Sequence, residues 1–420
     1  MNHLITNPKI AYINFFKYAA PNIENKLFAM AEGADRAGIA NIDFININGE
    51  KSDVSGLVRH VRFPYNYFPI KYYFFYTKRY QLIERSLDLY KYDYIILRYC
   101  NGDPSGKDFF SKYKILSEHH TQEVPEYQSH LKSKLPIYDK ISRRFRLKLE
   151  QAYGPAMLQQ AKGIIGVTSE IAEYELGRIS NEIPAATIPN GITVNKITKT
   201  GFKKFDGKQL DIVFVVSSYA PWHGIERLIR SIDMYTGSVN VNLHIIGNVK
   251  KADVNSTLND RCRILWYGYK SGNELDNILK NSNIGISTLG LFHKGMKEAC
   301  SLKTREYTAR GLPYILAYDD PDLQYMNKNE QFFLKFPNDN SSIDFQEVID
   351  FAESVSKKND MANYMRNYAL TYMDWSVKMK EYINFVEYVD QVSLPQPVRK
   401  TISDKEKIGM SFPYFPSQKR

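Results

Sequence analysis

A chain of 420 residues with 43% apolar side chains has the composition of a globular protein and is too long for one ordinary core, so two or three domains are expected. Its formal charge of +10 comes with no nucleic-acid recognition motif, and Cys100, Cys262 and Cys300 are scattered and odd in number, which argues against a disulfide framework or a zinc site. No run approaches the ~18 apolar residues of a membrane span. The start, MNHLITNPKIAYINFF, lacks a basic segment followed by an apolar one and a small-residue cleavage site, so the expected location is cytoplasmic.

In chain order, apolar runs at 10–16, 41–47, 92–99, 114–119 and 163–168 alternate with helical or irregular segments, the pattern of a parallel, doubly wound sheet. Six basic residues mix with ten aromatics between Arg59 and Arg85, and KISRRFRLKLE (140–150) is a basic helix candidate. Both suit contact with an anionic membrane surface, which would place the protein at the inner face of the membrane. After TIPNGITV (187–194) comes a polar, basic linker, and a second strand series follows at 210–218, 241–248, 262–268, 284–288, 314–317 and 332–336. The expected organisation is a first Rossmann-like domain over 1–198, a second over 199–373, a closing helix over 374–391 that returns to the first domain, and a basic, proline-containing tail over 392–420. The helical C-terminal stretch, 343–389, is expected to break at 373–375.

Neither sheet carries G-x-G-x-x-G after its first strand, and no G-x-x-x-x-G-K-[ST] occurs, which disfavours a dinucleotide dehydrogenase and a P-loop kinase. The segment KEACSLKTREYTARGLPYI (297–315) is more informative. Ser301 is a good N-cap, the following apolar and polar residues have helical spacing, and Gly311 and Pro313 end the helix. Glu298 then lies in the loop before a helix start, and Glu306 in its second turn. Free N–H groups at that start, Lys303 and Arg305 suit a diphosphate, while two carboxylates suit sugar hydroxyls.

This arrangement resembles the E-x7-E motif of retaining glycosyltransferases of the GT-B fold, in particular glycosyltransferase family four. Glu298, ACS, Glu306 and ARGLPYI match the family pattern position by position. IIGVTSEIAEYEL with IPNGI, FVVSSYAPWHGIERLIRSI, LHIIGN, LWYGY and YMDWSVKMKEYINFV resemble its other landmarks in order. The resemblance implies an α/β chain of two doubly wound Rossmann-like domains with a cleft between them, the second holding a nucleoside-diphosphate sugar. It implies that Glu306 holds the ribose and Glu298 the transferred sugar. The N–H groups of Ala299, Cys300, Ser301 and Leu302 would surround sugar and phosphates, with Lys303 and Arg305 as diphosphate contacts. Gly247, Gly268 and Tyr269 would frame the base. In SEHHTQE the family's histidine near the donor sugar aligns with His120, and His119 is the second candidate.

Two departures stand out. Where the family carries an Arg and a Lys that neutralise the leaving diphosphate, this chain has Ser217 or Ser218 and His223, which moves weight onto Lys303. The first loop, KYAAPNIENK (17–26), lacks the family's paired glycines. The expected activity is metal-independent, retaining transfer of a sugar to a glycan or lipid-linked acceptor in bacterial surface polysaccharide assembly, with no cofactor. Asp320 and Asp322 form a D-x-D pattern, but its place between a strand and a helix suits capping better than a metal. The rival readings are another GT-B activity, such as a nucleotide-sugar epimerase, and a catalytically silent nucleotide-sugar-binding subunit.

Overall fold

The computed structural model describes residues 7–15, 21–47, 56–61, 70–132, 136–249, 261–327 and 330–393. The tail beyond 393, the first four residues of the first loop (17–20) and part of the aromatic, basic segment (62–69) lie outside them.

The chain forms two compact units, residues 1–189 with 378–420 and residues 190–377. The first is built on seven strands, β1 (Ile10–Phe15), β2 (Ile42–Ile47), β3 (Val58–Val61), β4 (Tyr94–Arg98), β5 (Ile115–His119), β6 (Gly163–Gly166) and β7 (Ala185–Thr187). They are all parallel, in the order β3-β2-β1-β4-β5-β6-β7. The inner strands β1, β4 and β6 are buried along almost their whole length, which explains why they are continuous apolar runs and not alternating ones. One core layer joins Ile13, Ile45, Ile95 and Leu97 to Phe75, Tyr80, Phe109 and Met157 from the helices.

The second unit has six parallel strands, β8 (Gln209–Ser218), β9 (Asn240–Asn248), β10 (Cys262–Trp266), β11 (Ile284–Ile286), β12 (Tyr314–Leu316) and β13 (Phe333–Lys335), in the order β10-β9-β8-β11-β12-β13. The order reverses between β8 and β11, so loops leaving these two strands at their carboxyl ends diverge and open a binding crevice. Gly247 belongs to this edge. Its φ is +127°, and a Cβ there would lie 1.5 Å from the Val216 carbonyl, where the β8–β9 register shifts. Only glycine allows that approach.

The C-terminal helices are Phe345–Lys357, Met361–Tyr368 and Trp375–Ser393. The break expected at 373–375 falls at Asp374, whose carboxylate accepts from Ser376 N at 2.8 Å and Val194 N at 3.0 Å. A further break at 358–360 was not anticipated; Asp360 there adopts φ +62°. The last helix begins in the second unit and from Lys378 onward belongs to the first.

Candidate functional site

At the switch point of the second sheet, β8 leads to a short 3-10 turn, Pro221–His223, and β11 to another, Leu291–Lys294. The two loops touch backbone to backbone. Leu289 N donates to His223 O at 3.1 Å and Gly290 N to Trp222 O at 3.2 Å. Gly224, at φ +77°, has no room for a Cβ, which would lie 2.7 Å from the Leu289 carbonyl carbon. Arg227 braces this junction from behind, donating to the carbonyls of Leu289 (2.8 Å), Pro337 (2.9 Å) and Ser341 (2.8 Å).

The helix Leu302–Arg310 starts beside it. Ser301 is its N-cap, accepting from Lys303 N at 3.3 Å, and Gly311 ends it at φ +78°. The amides of Cys300, Ser301 and Leu302 donate to no protein group among the described residues, as expected where a helix begins. The Ala299 amide differs from expectation: it donates to Asp319 O at 3.0 Å, because Glu298 and Asp319 form a parallel bridge that pins this loop to the strand edge. Cys300 faces inward, its Sγ accepting from Asn190 N at 2.9 Å, and burial pushes its thiol up to about 12. It is a packing residue and no nucleophile.

Lys303 reaches from this helix to the turn after β8. Its Nζ lies 3.2 Å from His223 Nδ1 and over the Phe214 ring, 5.2 Å from the centroid. Burial lowers its ammonium to about 7, and burial with the neighbouring Lys303 and Lys294 lowers the His223 imidazole to about 3. His223 is therefore neutral. Among the described residues no carboxylate pairs with Lys303. A desolvated lysine facing a neutral imidazole at a helix N-terminus is a place for an anion.

Arg305 corrects the sequence-based expectation of a phosphate contact. It is fully buried and points the other way, donating to Asp320, to Asp322 at 2.6 Å and to Asn190 O at 3.1 Å. Burial opposes its charge, but Asp320, Cys300 and Asp322 hold its guanidinium well above the ordinary value. Asp320 also caps the turn Pro321–Leu323 through Asp322 N at 3.1 Å. The D-x-D pair is thus occupied by an arginine and a cap.

Glu306 lies one turn after Lys303, half-buried, with Oε1 accepting from Arg310 at 3.0 Å. Arg310 is in turn held by Asp276 at 2.5 Å. Glu306 Oε2 accepts nothing among the described residues. Gly247 and Gly268 are joined by a 2.7 Å hydrogen bond at the ends of β9 and β10, and Tyr269 beside them is 81% exposed. Ser218 ends β8; its side chain lies outside the described residues.

In the first unit the adjacent histidines point to opposite sides of β5 and its extension. His119 is buried, stacked 4.4 Å from Tyr99, with Nε2 2.9 Å from Ser117 Oγ. Burial, Arg178 and His120 hold its imidazole well below the ordinary value. That makes it a core histidine. His120 is half-buried, with Nε2 beside Lys26 Nζ and Glu118 Oε1. Glu118, Lys26, Tyr12 and Tyr382 around it escaped the sequence reading, as did Arg227. The run SEHH was the available signal for Glu118, since an acid inside an apolar strand needs partners.

Residues 197–370 match the family model described as Glycosyl transferases group 1. Among curated proteins, none matches the sequence. Solved structures similar to the chain include a sucrose-phosphate synthase from Thermosynechococcus elongatus, with 17% identity and TM-score 0.59, over 91% of this chain and 99% of that one. The apo form of WaaB, a lipopolysaccharide outer core galactosyltransferase, has 13% identity and TM-score 0.55, over 90% and 98%. HepE of Anabaena in complex with UDP and glucose has 11% identity and TM-score 0.51, over 91% and 100%. Identities this low speak for the fold. Fold and family match together support a glycosyltransferase of the GT-B fold.

Proposed function

We propose that the protein is a retaining glycosyltransferase that moves a sugar from a nucleoside-diphosphate sugar to a glycan or lipid-linked acceptor in bacterial surface polysaccharide assembly. The observation that carries this reading is the cluster at the second sheet's switch point: unpaired amides of a capped helix start, a desolvated Lys303 and the Glu306 carboxylate one turn on, with Glu298 in the loop that leads into the helix. Diphosphate and polyol together satisfy it. The UDP and glucose bound by HepE, and WaaB as a lipopolysaccharide outer core galactosyltransferase, support a nucleotide sugar and a surface glycan.

In the proposed chemistry the acceptor hydroxyl attacks the anomeric carbon on the face the diphosphate leaves. The departing phosphate oxygen takes the acceptor proton, so catalysis rests on holding the diphosphate and stabilising its growing charge. Lys303 and the helix amides serve the phosphates, Glu306 the ribose and Glu298 the sugar hydroxyls, and His120 is proposed to contact substrate. Gly247, Gly268 and Tyr269 are proposed to border the base. No resident metal is proposed, because the D-x-D carboxylates already neutralise Arg305.

Glu306→Ala removes hydrogen bonds between a carboxylate and ribose hydroxyls, each worth about 1.5–3 kcal/mol. Calorimetric titration with a panel of nucleoside-diphosphate sugars is expected to show donor affinity weakened by about 10–100-fold in this variant. Equal affinity in both proteins sinks the assignment.

Peripheral contact with an anionic membrane belongs to the same reading. The helix Ile137–Leu158 exposes Ile137 (79%), Tyr138, Ile141 (59%) and Phe145, largely at i, i+4 spacing. Five Lys and Arg against Asp139 flank them over residues 137–149. A second copy would meet this basic face with its own, so an anionic bilayer fits better. Flotation with anionic vesicles is expected to carry the wild-type protein but not Ile141→Asp, and binding is expected to fall with salt. Equal flotation of both proteins, or no flotation of either, removes membrane contact from the proposal.

A further inference from the structure

Glu118 lies near the end of β5 and is completely buried. Groups from three other elements, and from the residue just past its own strand, converge on it. Tyr12 of β1 donates its hydroxyl; Tyr382 of the last helix donates at 2.6 Å; Lys26 of the helix Pro21–Arg36 lies at 3.2 Å; and His120 Nε2 lies at 3.1 Å. Burial alone would raise the carboxyl, yet Lys26 first and Arg98 with it outweigh burial and hold Glu118 well below the usual carboxylate range. The carboxylate is therefore charged, and it anchors the Lys26 ammonium.

The same ammonium lies 3.0 Å from His120 Nε2. An ammonium has only hydrogens to offer, so a nitrogen this close must turn a lone pair toward it. The neutral ring then carries its proton on Nδ1, which bonds to nothing among the described residues. An Nε2–H in that place would point one positive hydrogen at three others. Glu118 does not need it, because Tyr12, Tyr382 and Lys26 already supply its oxygens.

We propose that Lys26, anchored by Glu118, is a positioning residue that fixes His120 as the Nδ1–H tautomer, so that His120 offers substrate a hydrogen-bond donor and not a base. The acceptor of that bond is a substrate oxygen. The charged groups that face the ring are Lys26 from the first helix, Arg98 from β4 and Glu118 from β5. Burial, Arg98 and Lys26 lower the imidazole to about 3, against the pull of Glu118, so it is neutral near pH 7. The role toward substrate rests on the proposed function; the tautomer does not.

Long-range proton–nitrogen NMR of the full chain, without substrate, tests this. The wild-type His120 is expected to give the Nδ1–H pattern and no titration down to about pH 5. In Lys26→Met the proton is expected to move to Nε2, donating to Glu118, and the ring to titrate at least about one pH unit higher than in wild type. Lys26→Arg, whose guanidinium also only donates, is expected to keep the Nδ1–H pattern. An Nε2–H pattern in the wild type, or a Lys26→Met spectrum identical to wild type, overturns the proposal. If Lys26→Met does not fold, the wild-type and Lys26→Arg spectra decide it. A protein that bound no nucleotide sugar would still give the expected spectra, so this result and the donor titrations fail separately.

Discussion

Lys303→Met is expected to lower turnover with a nucleotide sugar about 10²–10³-fold, the usual loss when one preorganised donor to a developing oxyanion is removed. The expectation is this large because little else can do the same work. A helix terminus contributes only ~0.3–1 kcal/mol, up to ~2 in favourable geometry. His223 is neutral and Arg305 faces Asp320 and Asp322. The effect should also depend on pH in a definite direction. Burial holds the free ammonium near 7, while a bound diphosphate favours the protonated form. Donor binding above about pH 7 must then take up a proton, so affinity is expected to fall by up to about tenfold per pH unit as pH rises, and to be nearly flat in the methionine variant. Stability should move the opposite way. Between about 7 and the ordinary lysine value of 10.5, the unfolded chain holds a proton that the folded chain has released, so stability rises with pH across that window. Chemical denaturation of both proteins at several pH values checks the second point, and donor titrations the first. A wild-type affinity independent of pH refutes the role given to Lys303.

Arg305→Met is expected to cost about 3–5 kcal/mol of stability, the range for breaking a buried ion pair from one side. Asp320 and Asp322 are both buried, and removing the guanidinium takes away the charge that both carboxylates accept from. The change also removes the donor to Asn190 O, where the chain enters the second unit. Thermal unfolding followed by circular dichroism is expected to show a midpoint lower by roughly 6–20 °C. Arg305→Lys is expected to recover only part of this, because an ammonium cannot span two carboxylates and a carbonyl as a planar fork does. A melting point within about 2 °C of wild type would mean that the cluster contributes nothing net.

The contrast between Lys303 and Arg305 shows what could be read from the sequence. Both are cations near the start of one helix, and composition alone gives them the same role. The helical period separates them: Lys303 and Glu306 lie three apart on one face, whereas Arg305 is turned about 200° from Lys303. That much was legible. The partners Asp320 and Asp322 were not, since they come from the loop after the next strand and only the fold brings them inside. Buried parallel strands such as β1, β4, β8 and β9 were readable because long apolar runs between helices have few other uses. The short edge strands β3 and β7 were not, because their mixed sequences, VRHV and AAT, carry no period. Lys26 was hidden for a different reason. Its segment looked like a loop, whereas Pro21 begins a helix that carries Lys26 to β5.

The last helix also bears on how the chain is made. Its residues from Lys378 onward complete the first unit: Tyr382 donates to Glu118, and Asp390 accepts from Tyr94 at 2.9 Å and Lys114 at 3.4 Å. These partners leave the ribosome only after all of residues 190–377 have been translated, about 10–40 s later at roughly 5–20 residues per second. Throughout that interval the nascent first sheet holds Glu118 with one of its hydroxyl donors missing and the apolar face beneath Phe385, Val386 and Val389 uncovered. Vectorial synthesis therefore leaves the N-terminal unit as an unfinished intermediate that a chaperone can engage, and its final closure reports that the rest of the protein has been made.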